Sequence, residues 1–437
     1  MKRVKRVVRK VFLVLVVLLL VLFGVYLLLQ YYWGRQVNAQ IAALRAAGHP
    51  TTIEEWEKTS VPAKDNAAPI YRRAFKALSE PTARRDLELL WPVLASNSKA
   101  PSANDWAKAT SALARCDGAF ALIAEAQSKP KCQFAPSPLV DQTSRKSFER
   151  SMALSKERVT LYSGLRDATR LLCGRVLISA HEGKTQDAVK YTESALKLSD
   201  AFDGKTQPID YLTNTAVIRI VLANTKQALD YGQPSESELR QLDSAFSRIN
   251  MPERYQTAVE GERSFFLLQN QQLRKARFTY PVTGDELAYL GFVSKHLEST
   301  QMSYSAARSR GLIGPNAADN IPFYACITKT MAPVLASAAG NRYKCEAEIA
   351  CCRAFLGLRA YKERFGEYPQ SLAELKSGVG WDVPADPFTG KGLVYKRVGD
   401  GFVVYSLGYD LKDNRGTPLK QDGSPEPHGD IVWETDD

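Results

Sequence analysis

The chain of 437 residues has no CxxC pair, no HExxH helix and only four histidines beside its seven cysteines, which leaves little material for a transition-metal centre. No GxSxG elbow surrounds any serine, so the strand-turn-helix nucleophile of the hydrolases is excluded. Acidic residues are missing from the first 35 positions, where seven Lys/Arg stand alone, leaving +4 of the formal +11 for the rest of the chain. That near-neutral bulk lacks the basic stripe of a nucleic-acid binder. Long uncharged runs are absent as well, with one exception. At 45% hydrophobic and 24% charged, the remainder has the balance of a core-forming chain.

The exception runs from Val11 to Leu29, where the Tyr26 hydroxyl is the one polar side-chain group. Its nineteen residues rise about 28 Å as a helix, close to the roughly 30 Å hydrocarbon core of a bilayer. Lys2, Arg3, Lys5, Arg6, Arg9 and Lys10 precede it, and Tyr31, Tyr32 and Trp33 follow. Basic flank, apolar core and aromatic belt predict a single-pass signal anchor over residues 1–35, N-terminus cytoplasmic and bulk outside. The competing reading is a cleaved secretory signal with a small-residue site at Val37 to Ala39, against which the length of the apolar run argues. A bacterial inner-membrane protein with a periplasmic body is the expectation.

From residue 36 to 340 the apolar residues recur at three and four, as in Ile70, Ala74, Phe75 and Leu78, or Leu161, Leu165, Ala168, Leu172 and Val176. Thr51 with Glu54 and Ser235 with Glu238 read as capping boxes. Breaks fall at Gly48 to Pro50, Pro81, Pro130 to Pro138, Gly204 to Pro208, Gly232 to Pro234 and Gly314 to Pro315, so a multi-helix region of hairpins is expected. Gly183, Ala188, Tyr191, Ala195 and Leu196 resemble half a tetratricopeptide unit, with no second copy at a period of about 34. Gly183-Lys184-Thr185 and Gly204-Lys205-Thr206 lack the glycine five residues earlier that a phosphate loop needs, Ile178 and Ser199 standing there. His181-Glu182 lacks a second histidine, and His49 and His296 have no carboxylate partner in sequence. Cys116 and Cys132 bracket a helix, and Cys345 and Cys352 lie about 10 Å apart on another, too far for direct disulfides. Buried small hydrophobes are the favoured reading, Cys173 among them. No catalytic constellation emerges, and a non-enzymatic protein is expected.

Beyond residue 340 the pattern changes. A helix through Phe355, Leu358 and Tyr361 stops at Gly366 and Pro369, and Ser371 with Glu374 opens a short one. Asp386-Pro387-Phe388-Thr389-Gly390 is a turn. Leu393 to Val398 and Phe402 to Leu407 form a hairpin, with Gly399 and Gly401 expected to supply the backbone angles. A small α+β domain with an antiparallel meander, residues 341–437, is predicted.

This segment resembles the globular head of the type II secretion major pseudopilin. The matching residues are Tyr361, Gly366, Tyr368, Pro369, Leu372 and Leu375; Pro384, Asp386, Pro387, Gly390 and Tyr395; Tyr405, Ser406, Leu407, Gly408 and Asp410; and Asp430 with Ile431. The resemblance covers about a fifth of the chain. It fails at the N-terminus, where Gly24 lies inside the apolar run and is followed by Val25, Tyr26, Leu27, Leu28 and Leu29, with neither a leader-cleavage site nor the assembly glutamate. What the resemblance implies is a Ca²⁺ site on Asp410 and Asp430, with the Leu407 carbonyl. The residues alone equally describe turn caps, in a loop lengthened by Pro418, Pro425 and Pro427 and carrying Asp413 and Asp422. The whole reads as a mainly α, membrane-anchored extracytoplasmic scaffold or protein-interaction protein of the bacterial envelope. The alternative is a non-standard subunit of a type II secretion or pilus-like apparatus.

Overall fold

A computed structural model describes residues 2–49, 51, 55, 61–95, 100–134, 145–202, 207–275, 282–314, 316–420 and 427–435. Glu54, Pro50, Pro315, Asp422, Pro425, the Gly204-Lys205-Thr206 turn and the prolines at 136 and 138 lie outside them. Helix dominates, and among the described residues no strand precedes Val394.

Helix α1, Lys2–Ala46, is continuous for 45 residues. Its apolar run is exposed and is long and apolar enough to cross a membrane. Above that run the helix docks: Val37, Ile41 and Leu44 pack on Leu267, Leu287 and Leu290. Trp33 lies over Gly284, where a Cβ would come within 2.8 Å of the indole. Helix therefore runs straight through residue 35, and Val37, at the start of the alternative cleavage site, is fully buried.

The first layer of the body is α2 (Ala68–Ser79), α3 (Pro81–Glu88), the single turn α4 (Trp91–Leu94), α5 (Ala103–Arg115) and α6 (Asp117–Gln127). Local signals set their ends: Pro81 sits at the first turn of α3, and Ser102 and Asp105 form a complete capping box on α5. α2 packs on α6 and on the 37-residue α7, Arg145–His181. Gly164 of α7 makes room for Phe75, whose atoms stand 2.4 Å from where a Cβ would be.

Gly183, at φ 73°, turns the chain into α8, Thr185–Lys197, while the Lys184 N–H donates back to the Ser179 carbonyl at 2.8 Å. Helix α9, Pro208–Tyr231, lies along α7, and α10, Glu236–Ser247, folds onto α8 rather than onto α9. The hairpin α7–α8 is thus not repeated as a second hairpin, in keeping with the missing second copy. The Ser235–Glu238 capping box on α10 is formed in full.

The second layer is α11 (Met251–Lys275), α12 (Val282–Glu298), the short α13 (Tyr304–Ser309) and the 40-residue α14 (Cys326–Phe365). α12 is the helix that receives α1. It also caps α14: the Asp285 carboxylate accepts the Ile327 and Thr328 N–H groups at 2.8 and 3.0 Å. α14 ends at Gly366, φ 82°, the expected left-handed cap. It starts well before residue 341, so the expected domain boundary falls in mid-helix, and one continuous core reaches from Ala67 to Trp433.

After α15, Ala373–Val379, the strands β1 (Val394–Val398), β2 (Gly401–Ser406) and β3 (Ile431–Glu434) form an antiparallel meander in that order, packed on α14. Val398 pairs with Gly401, so Gly399 and Asp400 alone make the turn. Gly399 takes φ 54°, whereas Gly401 is an ordinary strand residue, which corrects the expectation for it. Ser371 and Glu374 form half a box: the Glu374 carboxylate accepts the Ser371 N–H at 3.1 Å, but the helix begins later, after Leu372.

Candidate functional site

The feature best suited to hold something is a cleft of about 280 Å³ where α9, α14 and the C-terminal loop meet. It stands at the small end of ligand-pocket volumes, roughly 300 to 1,000 Å³. Helical periodicity builds one wall: Arg219, Leu222, Ala223 and Lys226 are spaced 3, 1 and 3 apart on α9 and so share a face. Lys344 and Glu348, one turn apart on α14, form the second. Pro418, Leu419, Asp430, Ile431, Val432 and Trp433 close it from the loop and β3.

Its charges are uneven. Arg219 donates to the Glu348 carboxylate at 2.8 Å and is neutralised by it. Asp430 turns its oxygens away into the loop, accepting the Gly416 N–H at 2.8 Å and the Asn414 N–H at 3.4 Å, and burial raises its pKa. Among the described residues, Lys226 and Lys344 have no carboxylate within ion-pair distance. Burial, and then the neighbouring Arg219, lower the pKa of Lys344, while Glu348, one turn further along α14, raises it in part. Lys226 and Lys344 line the cleft together with Leu222, Leu419 and Ile431, a combination that suits an anionic group with an apolar neighbour.

The residues assigned to calcium fall beside this cleft. Asp410 accepts the Lys412 N–H at 3.0 Å and the Asn414 side-chain amide on both oxygens, at 3.0 and 3.3 Å, with His428 Nδ1 at 3.7 Å. Asp413 accepts the Tyr405 hydroxyl and the Arg415 N–H, which lower its pKa. Left-handed Leu411 and Arg415, both at φ 58°, fold the segment into successive turns. Calcium takes six to eight converging oxygens. Here N–H donors occupy the carboxylates, and among the described residues no three His, Cys, Asp or Glu converge for a metal. The arrangement is that of turn caps, and Asn414, hydrogen-bonded to both, brings Asp410 and Asp430 to one loop.

All seven cysteines are free thiols. Burial pushes Cys173 up to about 12, and it raises Cys345, Cys351 and Cys352 too, which suits packing rather than nucleophilic work. His181 stacks on Trp106 with ring centroids 4.0 Å apart. His296 is not solitary: its Nδ1 lies 2.6 Å from the Tyr255 hydroxyl between α11 and α12, and burial lowers it to about 4. Glu262, on α11, is pushed by burial up to about 7. Between the helices of the α7–α8 hairpin and its neighbours α9 and α10 the free space is about 20 Å³, room for about one water and no docking groove.

Sequence reasoning found Asp430 for a different reason and missed Arg219, Lys226, Lys344 and Glu348. The periodic basic pair on α9 was visible in sequence. Its convergence with α14 was not. No family model, no curated protein and no solved structure matches this chain.

Proposed function

We propose that this chain is a membrane-anchored scaffold of the bacterial envelope that holds a protein partner by an acidic segment seated in the α9–α14 cleft. The observation that carries the reading is the cleft that Lys226 and Lys344, neither in an ion pair among the described residues, line together with Leu222, Leu419 and Ile431, in a body packed onto its own anchor helix. An acidic segment with an adjoining apolar side chain complements both parts of the cleft, and confinement to a membrane raises its effective concentration near other membrane proteins. The basic flank before Val11 supports a cytoplasmic N-terminus with the body outside.

The direct test uses full-length protein in detergent and a labelled peptide with two adjacent glutamates beside a phenylalanine. Binding is expected to fall about tenfold or more, about 1.4 kcal/mol, when Lys226 and Lys344 are both changed to Ala. Equal binding of the same peptide with glutamines in place of the glutamates overturns the reading. For orientation, a reporter active only in the cytoplasm, fused after Asp437, is expected to be silent.

A second reading, a non-standard subunit of a type II secretion or pilus-like apparatus, draws support from the tail. Its helix end at Gly366, its Asp386 turn and its three-stranded meander on α14 follow the order of the pseudopilin-like residues. Loss of mass at Gly24 in the N-terminal peptide would favour that subunit, and an intact terminus favours the anchor.

A further inference from the structure

Among the described residues of the body, the most exposed large apolar side chain is Phe323, 85% exposed in the segment leading into α14. Its place relative to α1 gives that exposure a partner. Phe323 meets Tyr324 edge-on with ring centroids 5.6 Å apart, and Tyr324 meets Trp33 of α1 at 5.1 Å. Trp33 stands four residues past Leu29, the last residue of the apolar run, and so about 6 Å above it along the helix. The headgroup layer is about that thick, since a bilayer of roughly 40 to 45 Å has a hydrocarbon core of about 30 Å. Trp33 thus stands within the thickness of the headgroup layer, and Tyr324 and Phe323 continue from it as one aromatic step.

The rest of the surroundings agree. Tyr31 and Tyr32 are exposed, whereas the Gln30 side-chain amide nitrogen, one turn below Trp33 on the same face, is buried, so that face of α1 is covered down to the end of the apolar run. Gly284, at the start of α12, brings this edge of the body hard against Trp33. The Asp285 cap ties that same edge to the first turn of α14, directly after Phe323 and Tyr324. Trp33 and Tyr324 have the amphipathic character of interfacial belt residues, and Phe323 adds an exposed apolar ring beside them, on a loop far away in sequence from the span.

We propose that the loop around Phe323 is a second membrane contact, with the Phe323 ring inserted into the lipid headgroup layer beside α1, so that the body sits on the bilayer at a set height and orientation. The proposal rests on α1 spanning the membrane, and the test separates the two. Full-length protein carrying Cys132→Ser and Cys326→Ser is reconstituted into phosphatidylcholine/phosphatidylglycerol vesicles. An environment-sensitive fluorophore is placed in turn at Phe323→Cys, at Leu20→Cys in the apolar run and at Ser237→Cys on α10. Quenching is read with lipids spin-labelled near the headgroup or deep in the chains. The expected result is blue-shifted emission at 323 quenched most by the shallow label, quenching at 20 mainly by the deep label, and none at 237. Quenching at 20 with solvent-like emission at 323 overturns the second contact and leaves the anchor. Blue-shifted emission at 323 that neither lipid quenches also overturns it, because protein then covers the ring. Failure to quench at 20 removes the anchor reading itself.

Discussion

Replacing Asp285 by Ala should destabilise the protein more than removal of any exposed acid, because one carboxylate on α12 does the capping of α14. The α14 N-cap, Ala325, has no side-chain acceptor of its own. Asp285 is fully buried and takes the Ile327 N–H, the Thr328 N–H and the Thr328 hydroxyl. In the Ala variant the hydroxyl keeps an acceptor in the Asp285 main-chain carbonyl, at 3.2 Å in the parent, so it adds little. The two amides do not. Each buried orphan donor costs about 1 to 3 kcal/mol, and loss of a negative charge at a helix N-terminus adds about 0.5 to 1 kcal/mol. Some fraying of the first turn relieves part of this, leaving an expected loss of about 3 to 5 kcal/mol. At about 2 °C per kcal/mol for a large domain, the midpoint of thermal unfolding in detergent should fall by about 6 to 10 °C. Asp285→Asn keeps the shape but offers one acceptor and turns an amide donor toward a second N–H, so it should fall between parent and Ala. The exposed Asp319→Ala serves as the control. Hydrogen exchange should speed at Ile327 and Thr328. A midpoint for Asp285→Ala within about 1 °C of the parent would refute the reasoning, as would an Asn variant indistinguishable from the parent.

Gly357→Ala adds a Cβ 2.7 Å from the buried Trp381 ring, whose Nε1 donates to the Arg353 carbonyl. Overpacking of about 1 to 3 kcal/mol outweighs the roughly 1 kcal/mol that Ala contributes to a helix, so the urea midpoint should fall. Gly399→Ala, at φ 54°, should cost about 1 to 2 kcal/mol by the same assay, and Gly401→Ala clearly less. Glu262, held near 7, is favoured neutral in the fold, so its contribution is full below about pH 4.5 and is lost as pH rises through 7. Glu262→Gln should remove up to about 3 kcal/mol of that decline and be the more stable form at pH 8; His296, held near 4, works oppositely as pH falls below about 6.5 and is untouched by the change. A calcium chelator should leave the melting temperature unchanged, and a fall would support the cation at Asp410 and Asp430.

What was legible in the sequence was local. The uncharged run from Val11 to Leu29, the Ser235–Glu238 box, the left-handed stop at Gly366 and the two-residue hairpin at Gly399 each depend on neighbours within about five residues. The start of α14 was not legible, because Pro333 reads as a break and Ala325 as a poor cap. The helix forms through both since its N-terminus is capped from α12, 42 residues earlier than Ile327. Residue 341 lies inside α14, whose face carries the strands and equally α9, α10 and α11. Lys226 and Lys344 lie more than a hundred residues apart, and only the packing of α9 on α14 brings them to one cleft.

The elements that place the cleft form a short chain of rigid contacts. α1 carries Trp33 and Val37 onto α12, Asp285 of α12 holds the first turn of α14, and α14 carries Lys344 and Glu348. Along α14 from Cys326 to Lys344 the rise is about 27 Å, so the proposed binding site stands at most about that far above the aromatic step at Tyr324. No described loop intervenes between step and cleft along this path. A partner seated there is therefore presented at a height set by helix length rather than by a flexible tether. This geometry explains why a helical body stands between the anchor and the small sheet: α14 serves as spacer and, by the same residues, as one wall of the site.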